Sequence, residues 1–486
     1  MTADSFPAAR LPELVFDSEP GFVELYNVAW KLAWEHVLTR AGAPVSPYMD
    51  EGFDKERIWL WDTSFMVHFC KYAPEAFPGV ASLENFYRPM LDGEPSTLLV
   101  HHPDNPPLPA WAEYANFRVT GDRQRLKKVL ADHRWLQRYF DLFEAFKRGD
   151  RPAWGGEAVW LQREPLGYLW RGNPNGMDNT PRGGVSADES DSRNYETMYW
   201  FDALAQQALS ARLIFEMAEA IGLGESAAKF RTLWFSYCNL LNSRYYDRED
   251  GFYYDIERTA PHRFIEVKTP AVYWAMLAGA CTAEQAGKLA LAAVDHNIFG
   301  GDFPFPSVSR NDSAYNPLGE YWRGGIWLPL SYMAIKALEK YGFTGIADQA
   351  AEKTVRLQLE TYRNCTPHTI WECYSPSECK PATNKRVVGA DEPVRTDFCG
   401  WSALGPISLM IENVVGLDLD GAHGKAAWRI KHTGRHGVKN VTFGGIRADF
   451  LTQGSGTVEI DSDRPFTLTV NGRELDVRAG HNLLSY

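Results

Sequence analysis

The sequence predicts a mainly helical fold: a toroid of paired helices carrying a small β-sandwich-like module at its C-terminal end. Three observations carry this. Helical hydrophobic periodicity dominates from about residue 20 to 420, long loops rich in Gly, Pro, Asn and Trp interrupt it, and the period drops to two after about residue 425. The expected division is a helical body over 1–424 and a β module over 425–486.

The helical stripes come first. Phe22, Leu25, Ala29, Leu32 and Ala33 form one, and Trp200, Leu204, Ala208, Ala211, Phe215 and Ala218 a second. Ile326, Leu330, Met333, Ala337 and Leu338 form a third, and Leu404, Ile407, Met410, Ile411 and Val414 a fourth. Their reverse faces hold too few polar residues for simple surface helices, so several are expected to be buried on both sides. Between them lie loops at roughly 41–57, 93–108, 151–190, 297–325 and 364–400. Loops of that length are uncommon in compact domains and usually carry function. Helix pairs stacked in a closed ring explain so long a helical region without a linker, although no internal sequence repeat is evident.

In the C-terminal module, Thr457–Ile460 and Phe466–Val470 alternate with period two and Asn471-Gly472 is a hairpin signal, with further short strands expected at Val441–Phe443 and Leu475–Val477. So small a module has a marginal core of its own, which predicts that it packs on the helical body. Asp247-Arg248-Glu249-Asp250-Gly251 looks like a calcium loop, but it lacks alternating acidic ligands and a closing Glu, so a hairpin turn is the better reading.

Composition narrows the partners. A net charge of −12 with no basic block argues against nucleic acid and anionic membrane surfaces. No stretch approaches the roughly 20 apolar residues of a membrane span, and no signal peptide is visible, so a cytoplasmic location is expected. Seventeen Trp suit a carbohydrate cleft with flat apolar walls, and equally a large helical core. Seven Cys, four of them between 365 and 399, show no Cys-x-x-Cys pattern, so reduced thiols are expected rather than disulfides or zinc.

Two acids stand out. Asp178 lies in Gly176-Met177-Asp178-Asn179-Thr180-Pro181-Arg182, and Glu372 in Trp371-Glu372-Cys373-Tyr374. Two carboxylates on separate loops among aromatics are what acid/base cleavage of a glycosidic bond requires. The Asp178 motif is also a plausible helix-start turn, since Asp and Asn satisfy free backbone donors there.

Five segments in order resemble the clan of inverting α-glycosidases that contains glycoside hydrolase families 63 and 37, with family 63 the nearer match. They are Trp59–Phe65, Pro106–Ala112, Gly176–Arg182, Glu320–Trp327 and Glu372–Tyr374, the last followed by Phe398–Ala403. The resemblance implies an (α/α)6 barrel and an exo-acting, α-glucosidase-like hydrolase. Asp178 would be the general acid, in an apolar setting supplied by Met177 and Trp170, and Glu372 the general base. Glu378, Asp391, Glu392 and Asp397 share Glu372's loop and remain alternatives for the base.

Trp61 and Asp62 resemble the pair that grips the cleaved sugar, though Asp62 also suits a helix N-cap. Trp322 and Arg323 resemble a subsite wall, with Arg323 alternatively an ion-pair partner. Trp111 and Trp401 are balanced between stacking platform and core, Arg182 between substrate contact and tying down its own loop, and Glu320 between active-site acid and helix-dipole partner. With Trp59, Asn116 and Tyr374 these complete the expected substrate-binding set.

Two carboxylates and water suffice for this chemistry, so no cofactor or metal is expected; the partner is a small carbohydrate, and a homodimer stays open. The chain departs from the family pattern at Gly325, usually Pro, and at Asn105, commonly Gln. It lacks the large N-terminal β domain and so looks more like compact bacterial hydrolases of mannosylglycerate and glucosylglycerate. In that reading Lys380, Lys385, Arg386 and Arg395 hold a glycerate carboxylate. Two readings of other classes remain. A sugar epimerase would use His pairs drawn from His68, His101, His102, His296 and His368, and a non-catalytic carbohydrate-binding protein would tolerate Asp178→Asn.

Overall fold

In the computed structural model of the chain, residues 5–51, 56–154, 156–183, 197–384, 392–398 and 400–486 are described. Helices fall into two populations by burial. Helix α2, Leu60–Cys70, is buried at every position, and α5, Phe201–Ala220, at fifteen of twenty. By contrast α1, Pro20–Glu35, buries one stripe through Phe22, Leu25, Ala29 and Ala33. The doubly buried stripes are therefore an inner set and the amphipathic ones an outer set, which is why the inner helices lack a polar face.

Six inner helices follow one another, each touching the next. Helix α2 packs on α3, Pro109–Thr120; α3 on α5; α5 on α7, Tyr273–Ala278; and α7 on α9, Leu328–Lys340. Helix α9 packs on the π-type helix Gly405–Val415, which meets α2 again. Outside them lie α1, α4 (Trp135–Ala145), α6 (Gly224–Leu240), α8 (Ala283–Val294) and α10 (Thr344–Asn364). Inner helices share one polarity: their N-terminal ends receive the long loops, and their C-terminal ends meet at the other end of the body.

The C-terminal region forms two sheets. One has the order β1 (Glu13–Phe16), β4 (His436–Phe443), β5 (Ile446–Thr452), β6 (Thr457–Ser462), β9 (Gly480–Ser485). The other has the order β2 (Leu417–Asp420), β3 (Lys425–Trp428), β7 (Phe466–Val470), β8 (Arg473–Val477), with β3 and β7 parallel. Aromatic contacts join them: Phe443 lies 5.2 Å and Phe450 5.7 Å from Phe466, ring centre to ring centre. Asn471 and Gly472 both adopt positive φ, 47° and 87°, as a two-residue turn between β7 and β8 demands.

The strand Leu417–Asp420 of the second sheet lies ahead of residue 425, and the first sheet takes an edge strand from Glu13–Phe16, which pairs with 436–439. A four-residue strand abutting a helix gives too short a period-two signal to separate. The module docks as its small core requires: Trp428 Nε1 donates to Val415 O at 3.0 Å, and Arg429 bridges Glu339 and Asp348 at 2.9 and 3.0 Å. The 247–255 segment is a hairpin, Tyr246–Asp247 against Phe252–Tyr253, as its Asp-Gly turn indicates. The six described cysteines are free thiols, and Cys399 lies outside the described residues.

Candidate active site

The loops at the N-terminal ends of the inner helices enclose a cavity of about 470 Å³. Trp59 ends a short strand paired in parallel with Leu99–His101, and Trp61 and Asp62 open the first turn of α2. A carboxylate there faces the positive end of the helix. Asp62 is nevertheless 4% exposed, and burial pushes its pKa well above the usual carboxylate range. Its own backbone amide opposes the shift, while Glu372, Asp50 and Asp178 reinforce it.

Asp178 lies on the same cavity, half-buried, in a turn made possible by Gly176 at φ +90°. The turn is held on three sides. Asn179 accepts from Trp322 N at 2.8 Å and donates to Glu320 O at 3.0 Å. Asn105 donates to Pro174 O at 2.8 Å, and Asn175 to Asp202 at 2.8 Å. A Cβ on Gly176 would stand 3.1 Å from the Trp61 indole, in a backbone region L-residues rarely adopt. Gly176→Ala should therefore cost about 1–3 kcal/mol of stability and displace Trp61. A lowered denaturation midpoint together with weaker sugar binding checks this.

Glu372, 2% exposed, is fixed at both ends. Tyr321 Oη donates to its Oε1 at 2.8 Å and Arg395 N to its Oε2 at 3.3 Å. Its backbone carbonyl accepts from Trp401 Nε1 at 2.9 Å and Ser402 Oγ at 3.1 Å. Bridges from Pro306 to Ile326, Ile326 to Tyr374 and Tyr374 to Pro381 lace the two long loops into one scaffold. Burial raises the Glu372 pKa; the Tyr321 hydroxyl and Arg395 restrain the rise, and Asp178 adds to it. Trp322 stacks on Trp327 at 4.0 Å and 5°, and Trp401 lies 5.7 Å from Trp327, so indoles form one wall.

Of the expected residues, then, Trp59, Trp61, Asp62, Asp178, Trp322, Glu372 and Trp401 converge on the cavity. Six do not line it. Trp111 sits deeper in α3 and lines a second cavity at the opposite end, 4.2 Å from His68. Asn116, further along the same helix, is buried and donates to Thr120 at 3.4 Å. Arg182 is wholly buried between Asp202, at 2.7 Å, and Asp255, at 2.6 Å, tying down its own loop. Glu320 accepts from Asn316 at 2.7 Å, and Arg323 donates to Asn179 O at 3.4 Å behind the Asp178 turn. Tyr374 Oη accepts from Trp371 N and Gln358 Nε2, both at 3.1 Å. Trp170 packs on Phe143 and, like Met177, is buried without lining the cavity.

Within Glu372's loop, Glu378 pairs with Lys380 at 3.0 Å, and Glu392 and Asp397 are exposed and off the cavity; Asp391, Lys385 and Arg386 lie outside the described residues. Tyr321 and Trp327, which line the cavity, were not singled out from sequence, nor were Asn173 and Asn384. Glu320 and Tyr321 have φ of 38° and 64°, consecutive left-handed residues that turn the tyrosine inward and its neighbours Glu320 and Arg323 away. Such backbone costs on the order of 1 kcal/mol or more per residue and clusters where function needs it.

His101 and His102 line the rim, their Nδ1 atoms 3.3 and 3.2 Å from the Glu157 carboxylate. The bond from His102 chiefly holds Glu157 down at about 2. This trio is the His/Cys/Asp/Glu grouping with metal-binding composition among the described residues. Neither His296 nor His368 lines the cavity, and His68 lies in the other one.

Residues 90–386 match the family model of the mannosylglycerate hydrolase MGH1-like glycoside hydrolase domain. An uncharacterized protein of Borreliella burgdorferi is 22% identical, with 94% of each chain covered. A probable mannosyl-oligosaccharide glucosidase of Schizosaccharomyces pombe is 24% identical over 57% of this chain, which spans 34% of that relative's length. Among solved structures, a family 63 mannosylglycerate hydrolase of Thermus thermophilus complexed with glucose superposes with a TM-score of 0.58. The superposition has 18% identity and covers 79% of this chain and 99% of that one.

Proposed function

The chain belongs to the mannosylglycerate hydrolase MGH1-like glycoside hydrolase domain family, and from that premise we propose that it is an inverting, exo-acting α-glycosidase in which Asp178 is the general acid and Glu372 the general base. Its enzyme class, glycoside hydrolase, follows from the family. The observation that carries the residue assignment is the convergence of Asp62, Asp178 and Glu372 on one indole-walled cavity. Glu372 is the acid whose carboxylate accepts from a tyrosine hydroxyl and a backbone amide, which oppose the rise in pKa that burial causes, as suits a group that must act as base. Asp62 is held towards its neutral form, which can donate to and accept from sugar hydroxyls. We read the closed succession of inner helices and their outer partners as an (α/α)6 barrel.

For the substrate, a small α-glucoside is the first reading. Arg395 on the cavity wall favours a second, a glycosylglycerate whose carboxylate it would meet. Lys380, paired to Glu378, is off the cavity and does not add to that charge. Proton NMR of the first-formed product from a panel of α-glucosides, α-mannosides and glycosylglycerates tests both. A β-anomer from an α-linked substrate supports inversion and identifies the glycone, whereas an initial α-anomer sinks the mechanism.

Tyr321→Phe should shift the pH profile in a defined direction. The lost hydroxyl stabilises the Glu372 anion, so its removal raises that pKa. The acidic limb of kcat/KM therefore moves to higher pH, with activity lost first at low pH. An unmoved limb would detach Glu372 from the base role.

A further inference from the structure

The far end of the inner helices encloses a second cavity, of about 430 Å³, that the proposed reaction does not use. That volume falls within the range of small-molecule sites. Six cationic side chains line it, Lys71, Arg118, Arg212, Lys336, Lys340 and Arg429, against the three carboxylates Glu339, Glu412 and Asp418. Part of this charge is internally spent. Glu412 takes Lys71 at 2.8 Å and Lys336 at 2.7 Å, Arg429 bridges Glu339 and Asp348, and Arg118 reaches Asp418 at 3.4 Å. Cations here also face the carbonyl ends of the inner helices, a favourable placement in itself.

Arg212 and Lys340 are left over. Arg212 meets only a half-buried Glu216, at 3.4 Å, and its buried Nε has no hydrogen-bond acceptor among the described residues. Lys340, at the rim, has no ion-pair partner among them, and burial with Arg212 nearby lowers its pKa to about 8. The floor adds a different signal. His68 is 1% exposed, and neither ring nitrogen has a partner, although a buried imidazole without one costs free energy. Burial and the flanking lysines keep it neutral, so it offers one donor and one acceptor, the complement of a hydroxyl group. Flat faces of Trp111 and Tyr332 stand beside it, at 4.2 and 5.2 Å.

We propose that this second cavity binds a hydroxylated organic anion, a sugar phosphate or a sugar carboxylate, with its hydroxyls on His68, its body against Trp111 and Tyr332, and its charge on Arg212 and Lys340. Helix α2 joins the two cavities, with Asp62 at one end and His68 at the other. The site is independent of the hydrolytic reading, and its test can be made in an Asp178→Asn chain.

Calorimetric titration of the full chain with glucose 6-phosphate, glucuronate, glucose and inorganic phosphate tests the proposal. Saturable binding of one charged sugar is expected, with neither glucose nor phosphate alone matching it. Preference between the phosphate ester and the carboxylate identifies the source of the charge. Lys340→Gln, a rim change that should leave folding intact, and His68→Phe should each weaken binding roughly tenfold, while Asp178→Asn leaves it unchanged. No binding at millimolar ligand, or binding indifferent to Lys340→Gln and His68→Phe, overturns the proposal. So does binding abolished by Asp178→Asn, which would place the ligand in the first cavity.

Discussion

Asp178→Asn and Glu372→Gln should each lower kcat by roughly 10²–10⁴, the usual contribution of one general acid or base, in proteins that remain folded. The two losses should differ in character. A general acid matters only while the leaving oxygen needs a proton, so with an α-glycosyl fluoride the Asp178→Asn deficit should shrink and the Glu372→Gln deficit persist. Identical deficits on both substrates would deny the two residues separate roles. Stability should move the other way for Glu372. Its folded pKa is raised, so the protonated form is favoured in the folded protein. That contribution is fully present below the ordinary glutamate range and is lost as pH rises through the raised value. At neutral pH the wild-type chain carries the cost of a buried anion that Glu372→Gln lacks. The variant's denaturation midpoint should therefore equal or exceed wild type at neutral pH, with the gap closing in acid. An inactive and no less stable variant is the signature of a site maintained against stability.

Legibility in the sequence followed what periodicity encodes. Helix positions and the absence of a continuous polar face on the 201–220 and 328–340 stripes were readable, because double burial leaves room for only a few polar side chains, such as Gln206, Gln207 and Ser331. Side-chain direction along an inner helix was not. Trp61 and His68 share α2, yet one lines the first cavity and the other the second, simply because a turn or two of helix separates the two ends. The same geometry places Trp111, balanced between platform and core, and Asn116 off the first cavity: Asn105, before α3, lines it and the helix runs away from it. In Glu320-Tyr321-Trp322-Arg323 two consecutive left-handed residues decide which side chains reach the cavity, and nothing in the side chains announces positive φ. Tyr374 beside Glu372 shows a further limit, since adjacency in sequence gave no clue that its hydroxyl caps the Trp371 amide instead.

Arg182, left open between substrate contact and tying down its own loop, is the anchor beneath Asp178, which makes Arg182→Met the substitution with the largest expected loss of stability. The guanidinium is fully buried, donating Nε and one terminal nitrogen to Asp255 at 2.7 and 2.6 Å and the other to Asp202 at 2.7 Å. Two carboxylates around one cation leave the trio with a net negative charge. Burial raises the Asp255 pKa even with Arg182 in contact. Methionine keeps much of the volume but strands both acids in an apolar interior, a loss of about 3–5 kcal/mol when one partner of a buried ionic group is removed. That is a large share of the roughly 5–15 kcal/mol by which folded proteins are stable. The acids can escape part of it by protonating, so the penalty should be largest at neutral pH and shrink as the medium is acidified. Because Asn175 hydrogen-bonds the same Asp202, the disturbance reaches the Asp178 turn. Urea denaturation should show a lowered midpoint, with activity failing before global unfolding. Adding Asp202→Asn to Arg182→Met should recover part of the stability, since one stranded charge is removed. A double variant no better than the single would mean the loss is one of packing, and that the trio's charge is not what holds the loop.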